Sequence, residues 1–540
     1  MPSALGLALS ALVWLAPPPV LPLPSRTGAE GPPRPAGVDP PAGAHAAPTS
    51  PALARAQNRA MLDGPFPSSG LTRGVSEGTL LLDEDPAVRA LALERIRGLG
   101  ASVVRIPVDW SATVSPDPAP GFEAADPASA DYDFAPIDAA VLSAVAAGLE
   151  PLLVVSHAPA FAEASPRWRF AYAGSWDPSS QALAQFAAAL ALRYDGSFPD
   201  PQDPARALPR VRLLQAWNEP NLARYLAPQW VAERGRWTAF SPLLYRELLN
   251  GFYAGVKSVE PTDVVLAAGV APDGEPAGVG RMAPVQFLRA LLCLAPARAP
   301  GSSGCADPPH FDVLDFHPLS VAGPDAPAPS SLEIAISDAA KITGLLHRAE
   351  RARTALPAGV KPVWVTELNW ESAPQILTGV PERLQAQWVS RALHRLWIAG
   401  VSLVAWQFLV DPFPGVRAET PTGGVVEYPR PAGLYSADAD GNPASAQPKP
   451  FALGFSFPFD PLRVDSRHVR IWALLMHPRQ RVLLQREVRG GTWRAVARLR
   501  ADAAGVLNAL VSITGSMRVR LRAGALTSAP ESVPRERSRL

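Results

Sequence analysis

The chain has 540 residues, with 50 Lys and Arg against 49 Asp and Glu and a formal net charge of +1. So balanced a composition supplies no long-range field to draw in nucleic acid or an anionic membrane surface. Hydrophobic residues make up 47% of the sequence, ample for a large buried core, and the length admits several domains unless one α/β barrel absorbs most of it. Two cysteines, Cys293 and Cys305, are too few for a zinc site built from cysteine alone. In an exported protein they would close one small loop as a disulfide; otherwise they stay as two thiols.

Leu5 to Ala16 is apolar over the length of a signal-peptide core, but no Lys or Arg precedes it, so the signal pattern is incomplete. The run is short of the roughly 20 apolar residues that a membrane span needs, and Pro17, Pro18 and Pro19 stop any helix. Residues 1–24 therefore read as a signal peptide or an uncleaved N-terminal anchor. Residues 25–65, rich in Pro, Ala and Gly, read as a disordered linker.

From there a short apolar run, a polar loop and an amphipathic helix recur. Thr72 to Leu80 is the first predicted strand. Asp85 caps the helix that follows, with Pro86 at its first position, and Val88, Leu91, Ala92, Ile96 and Leu99 share a face. Strand two is Ser102 to Val108, with a helix at Ile137 to Gly148. Strand three is Pro151 to Ser156, with a helix at Ser180 to Tyr194. Strand four is Val211 to Trp217, with a helix at Pro242 to Val259. Strand five is Val264 to Ala268, with a helix at Val285 to Leu294. Strand six is Phe311 to Phe316, with a helix at Ser331 to Arg353. Strand seven is Pro362 to Thr366, with a helix that starts near Pro381, and strand eight is Ser402 to Gln407. Continuously apolar strands alternating with helices demand a parallel sheet covered on both faces, and eight units close a (β/α)8 barrel over residues 66–457. A doubly wound open sheet is the runner-up, but no glycine-rich phosphate turn follows the first strand. Residues 458–530 read as a small β-sandwich: Val469 to Leu475, Val482 to Val488, Thr492 to Leu499 and Met517 to Ala523 are strand-like, and Gly490-Gly491 is a hairpin signal. The charged tail, 531–540, is expected to fray.

On such a barrel the chemistry lies where strands end. Strand two carries Arg105 and ends at Asp109-Trp110. Strand three ends at His157, strand four at Asn218-Glu219, strand six at His317 and strand seven at Glu367, followed by Asn369, Trp370 and Glu371. Strand eight carries Trp406. Two carboxylates from strands four and seven would face each other across the mouth, which is the equipment for cleaving a glycosidic bond. Glu371 rivals Glu367 but suits a loop salt bridge. The alternation Val363, Val365, Glu367 favours Glu367. His157 and His317 are as fit to be core hydrogen-bonders as substrate contacts, and Trp110 and Trp370 as fit for packing as for stacking on a sugar. Gly74 to Gly78 matches the G-x-S-x-G pattern around Ser76, but no helix follows the serine at once, so it is not a nucleophile elbow.

The segments WNEPN (Trp217 to Asn221) and VWVTELNW (Val363 to Trp370), together with DFHP (Asp315 to Pro318), resemble the clan A glycoside hydrolases, in particular the cellulase-like family 5 and the β-xylosidase-like family 39. The resemblance covers about Arg73 to Leu453. It implies Glu219 as acid/base and Glu367 as nucleophile of a retaining hydrolase acting on a β-linked carbohydrate. It further implies Asn218 at the sugar 2-OH, Arg105 beside the nucleophile and Trp406 under the sugar, with no metal and no organic cofactor. One departure is Leu319, where several relatives carry a Tyr beside the nucleophile. It keeps open a non-catalytic carbohydrate-binding barrel at the cell surface; a transglycosylase using the same covalent intermediate is a further alternative. The expected partner is a carbohydrate and not a nucleic acid, with membrane attachment only through an uncleaved anchor, and the expected location is secreted or cell-surface. The oligomeric state, the sugar and the linkage are open.

Overall fold

The computed structural model describes residues 50–64, 66–294, 305–412, 416–419, 425–428, 430–438, 441–488 and 491–538. Eight parallel strands close a barrel: Thr72–Ser76, Val103–Asp109, Glu150–Ser156, Leu213–Ala216, Val264–Val270, Val313–Phe316, Val363–Leu368 and Val401–Gln407. Each pairs with its sequence neighbours, and strand one closes the ring against strand eight through Thr72 to Ser76 opposite Leu403 to Gln407. Seven helices cover the outside: Pro86–Gly98, Ala135–Ala146, Ser180–Arg193, Ser241–Val259, Pro284–Leu291, Ala340–Ala352 and Glu382–Ile398. Their starts are chemically marked. Asp85 accepts from the Ala87 N–H at 2.8 Å, and Ser179 accepts from the Ala182 N–H at 3.2 Å, each satisfying a donor that the first helical turn leaves free.

Strand one and the helix after strand six fall furthest short of their expected spans. Strand one stops at Ser76 because Glu77 turns the chain: its carboxylate accepts from the backbone of Leu80 and of Leu409. The helix after strand six begins at Ala340, not Ser331, because Asp338 folds the preceding segment into a 3-10 turn and accepts from the Ala328 and Ala335 N–H groups.

The C-terminal part is a sandwich of two antiparallel sheets. One holds Phe459–Arg463, His468–Leu474 and Val506–Ser512; the other holds Thr492–Arg500, Arg481–Val488, Met517–Ala523 and Leu526–Thr527. Val469, Ile471 and Leu507 of the first pack against Leu484, Val519 and Leu521 of the second. Val488 lies opposite Thr492; of the expected turn Gly490-Gly491, Gly490 lies outside the described residues. The smaller sheet sits on the barrel helix Glu382–Ile398. There the His394 ring stacks on Trp472 at 4.5 Å, and Asp460 accepts from His394 Nδ1 at 2.7 Å and Arg391 Nε at 2.9 Å.

The chain ends correct two expectations. Residues Ser50–Asp63, assigned by composition to a linker, form a helix that buries Met61 and Leu62 against Leu462. The tail does not fray at 531, since Glu531–Val533 pairs with Met517 to Val519. A disulfide joins Cys293 to Cys305, whose Cα atoms are 5.5 Å apart. Among the described residues no helix is long and apolar enough to cross a membrane; the run Leu5 to Ala16 lies outside them.

Candidate active site

The barrel interior is layered. At the bottom Val103, Leu152, Leu213, Leu266, Val313 and Leu403 make an apolar plug. Two residues further along three of these strands stand Arg105, Gln215 and Asp315, since alternate residues face the same way. They bond in sequence: Arg105 Nε donates to Gln215 Oε1 at 2.9 Å, and Gln215 Nε2 donates to Asp315 Oδ2 at 2.9 Å. Thr366 completes the floor, its N–H donating to Asp315 Oδ1 at 2.9 Å and its hydroxyl to Asp315 Oδ2. Buried charges are costly unless paired and hydrogen-bonded, and this floor provides for both.

Glu219 and Glu367 rest on it. Together with His317 they offer three ligand-type atoms that lie within 4.8 Å of one another. The Arg105 fork ties them in: Nη1 reaches Glu367 Oε1 at 2.6 Å and Nη2 reaches Asn218 Oδ1 at 2.7 Å. The Ser76 hydroxyl accepts from Nη1 at 3.3 Å, so this serine braces the arginine. His317 stands between the acids, with Nδ1 3.1 Å from Glu219 Oε1 and 3.7 Å from Glu367 Oε2, and Nε2 3.1 Å from Thr366 Oγ1. Burial works against the imidazolium, but the Glu367 charge, the bonds to Asp315 and Glu219 and the Asp315 charge outweigh it and raise its pKa to about 10. His317 is therefore cationic at neutral pH. Leu319 is buried next to a small cavity of about 40 Å³ lined also by Asn369, Trp370 and Arg430.

Backbone irregularity aims these groups. Val363 and Val365 face the helices, so strict alternation would send Glu367 outward as well. The premise of the alternation argument is thus corrected. The pairing of strands seven and eight shifts register between Val365 and Leu368, and this bulge turns Thr366 and Glu367 both inward. At strand four, Trp217 (φ 72°) and Glu219 (φ 40°) are left-handed, as are His157 (φ 58°), Ala268 (φ 77°) and Phe408 (φ 64°) after or within strands three, five and eight. Such conformations cost on the order of 1–3 kcal/mol each and gather where function requires an aimed side chain.

Not every expected residue joins the cluster. His157 belongs to a neighbouring group: Nδ1 is 3.0 Å from Ser156 Oγ and 3.5 Å from Asp109 Oδ2, and the ring lies 5.4 Å from Tyr225. Burial, helped by the Arg224 charge and opposed by Asp109, lowers its pKa. Trp370 and Trp406 are core residues here, at 2% and 0% exposure, packed on each other at 6.2 Å. Their indole N–H groups donate to Ala322 O and Ala432 O; Phe451 and Phe455 enclose Trp406, the ring expected under the sugar, while Trp370 packs on Trp388 and lines the small cavity beside Leu319. Trp110 stacks on Phe186 at 5.4 Å and is likewise buried. Glu371 lies 3.9 Å from Arg430, the loop ion pair expected of it.

Sequence reasoning passed over Gln215, Asp315 and Thr366. The signal was there: a lone polar residue inside LLQAW and VLDF, two or four positions before a named site residue. It also passed over Asp273, which follows strand five. Its Oδ2 is buried without a hydrogen-bond partner, and burial, with the Glu333 and Glu219 charges adding and Arg281 opposing, raises its carboxyl to about 6.

The distances within the Glu219, His317 and Glu367 set would suit a small cation, but the donor chemistry does not. The Arg105 guanidinium already occupies Glu367 Oε1 and brings a fixed positive charge to the place a cation would take.

No protein-family model and no curated protein sequence matches the chain. Solved structures do. A family 39 glycoside hydrolase from the gut symbiont Bacteroides cellulosilyticus WH2 is 18% identical, with 83% of each chain covered and a TM-score of 0.48. A monomeric β-xylosidase from Caulobacter crescentus CB15 is 13% identical, covering 82% of this chain and 95% of that one, with a TM-score of 0.45. An endo-β-1,4-mannanase from Thermotoga petrophila is 12% identical, covering 88% and 99%, with a TM-score of 0.40. Identities and scores this low assign neither a family nor a substrate.

Proposed function

We propose that the chain is a retaining glycoside hydrolase of the clan A type, with Glu367 as nucleophile and Glu219 as acid/base, cleaving a β-linked O-glycosidic bond. The observation that carries this reading is the close approach of the two carboxylates, within 4.8 Å, at the ends of strands four and seven. Retaining enzymes hold their carboxyl groups about 5–5.5 Å apart, whereas inverting ones need roughly 6.5–9.5 Å to admit a water.

In this mechanism Glu367 attacks the anomeric carbon while Glu219 gives a proton to the departing oxygen, leaving a covalent glycosyl-enzyme. Water then enters, Glu219 takes its proton, and the bond to Glu367 breaks. Arg105 is the fixed positive partner of the attacking carboxylate, and arginine cannot lose that charge at working pH. His317 Nδ1 lies 3.1 Å from Glu219 Oε1, and in this mechanism a proton passed from it through Glu219 to the leaving group is restored when water is deprotonated. In this reading Asn218, held by Arg105, meets the sugar 2-OH.

The barrel over 66–457 is the catalytic domain in this reading and 458–530 a C-terminal β domain. The apolar run Leu5 to Ala16 and the Cys293–Cys305 disulfide support export to the cell surface or beyond. The test is a panel of aryl glycosides, with the anomer of the first-formed product read by NMR. Retention with a 2-fluoro glycoside trapped on the Glu367 peptide is expected. An inverted product refutes the mechanism, and absence of both turnover and labelling across the panel favours a carbohydrate-binding barrel.

A further inference from the structure

The whole-chain charge balance conceals a division. Residues 458–540 contain sixteen arginines, no lysine and six carboxylates, so this part carries +10 and the rest of the chain −9 to give the total of +1. Much of that charge stands on one surface. In the larger sheet of the sandwich, Val482, Leu484, Val519 and Leu521 point into the core. The alternate positions point outward, and there stand Arg481, Arg498, Arg500, Arg518, Arg520 and Arg522. The register sets them side by side: Arg481 opposite Arg500, and Leu483 flanked by Arg498 and Arg522. Strand geometry spaces them roughly 7 Å apart along a strand and about 5 Å per strand across. Glu487, 3.0 Å from Arg518, is the one carboxylate on the outward positions of these three strands. Among the described residues none of the other five arginines pairs with an acid.

Like charges directly opposite destabilise a sheet, so folding alone does not account for the array. Edge protection against aggregation would explain Thr492–Arg500, an edge strand, but not Met517–Ala523, which is paired on both sides. A ligand of opposite charge would. Guanidinium forks match carboxylates two bonds at a time, and the flat face suits an extended chain. Trp493 lies on this face with the Arg520 guanidinium over its ring at 4.3 Å, so the one aromatic residue among the arginines has a ring face already occupied.

We infer that the outward face of this sheet binds an acidic polysaccharide, a chain bearing a carboxylate on each sugar. That the polyanion is a glycan rests on the glycosidase reading; that the face binds a polyanion does not.

The test is affinity electrophoresis of the full chain in gels containing polygalacturonate, beside gels with a neutral glucan and binding assays with duplex DNA and phosphatidylglycerol vesicles. Retardation by polygalacturonate alone, weakened by salt, is expected. The triple variant Arg498→Ser, Arg520→Ser, Arg522→Ser should bind roughly tenfold or more weakly, with unchanged melting and unchanged aryl-glycoside turnover. Should the triple variant misfold, the single edge-strand variant Arg498→Ser carries the same comparison with a smaller loss. The inference is overturned if polygalacturonate does not retard the wild type, if DNA or vesicles bind as well, or if the variants bind undiminished. Turnover measured on the same samples separates the two readings: an inactive chain that still binds polygalacturonate refutes the hydrolase, not this face.

Discussion

Arg105 and Glu367 are 262 positions apart in the chain and meet at 2.6 Å, both buried. The guanidinium meets three further acceptors at the same time, and a lysine could not reproduce that fork. Arg105→Lys should therefore lower kcat/KM by about 100-fold or more even with the charge retained. Arg105→Ala should also cost roughly 3–5 kcal/mol of stability, because it strands a buried carboxylate. Urea unfolding beside steady-state kinetics checks both. A stable, active Arg105→Lys protein would show that the charge alone suffices.

Glu219→Gln removes the proton donor and leaves the nucleophile. Substrates with poor leaving groups should slow by about 10²–10⁴-fold, whereas activated aryl glycosides should form the covalent intermediate nearly as before and accumulate it. Glu367→Gln should slow both kinds alike. Equal losses for Glu219→Gln would mean that the acid has been misassigned.

His317 gives stability a pH dependence. Its pKa is about 10 when folded and near 6.5 in an unfolded chain. A raised folded value means that the contribution is complete below pH 6.5 and is lost as pH rises through 10. The wild type should weaken over that window by more than His317→Gln does, as measured by urea midpoints at stepped pH. Parallel curves would show that His317 is neutral in the folded protein.

Asp273 works in the opposite sense. Its carboxyl is held up at about 6 by burial, so stability is lost as pH rises from about 4 to about 6, and the loss is complete above that. Asp273→Asn should stabilise the protein at pH 7, by on the order of 2 kcal/mol, and give no gain at pH 4. A loss at both pH values would indicate a bond that depends on the charge.

Gly269 has φ +62°, and a Cβ there would lie 2.7 Å from Gln215 Nε2, 2.9 Å from Asp315 Oδ2 and 3.0 Å from His317 Nε2. Gly269→Ala should cost about 1–3 kcal/mol and reduce turnover without replacing any group that reacts. Unchanged kinetics would mean that the polar floor tolerates displacement.

The barrel was legible because its strands are apolar on both faces and its helices carry marked starts, as at Asp85-Pro86. The meeting of Glu219, Glu367 and His317 with Arg105 was legible because the first three fall at strand ends within short, ordered motifs and Arg105 is a lone charge inside an apolar strand. The enclosure of Trp406 by Phe451 and Phe455 was not. An indole at a strand end packs against neighbours such as Phe451 that come from 45 residues or so further on, and no local pattern announces them. The inward turn of Glu367 was right for a wrong reason, since alternation cannot see a bulge. The pairing of Glu531–Val533 was missed because three residues in a charged tail are too few to show a strand period.

The Arg105 contacts come from strands one, four and seven, together with the loop after strand four. A slip of one residue in any of those strands would withdraw an acceptor and leave charge unpaired in the interior. The same side chain that serves the chemistry therefore penalises every misregistered ring, and an open half-barrel could not hold it dry. In this protein, closure of the fold and assembly of the charged centre are one event.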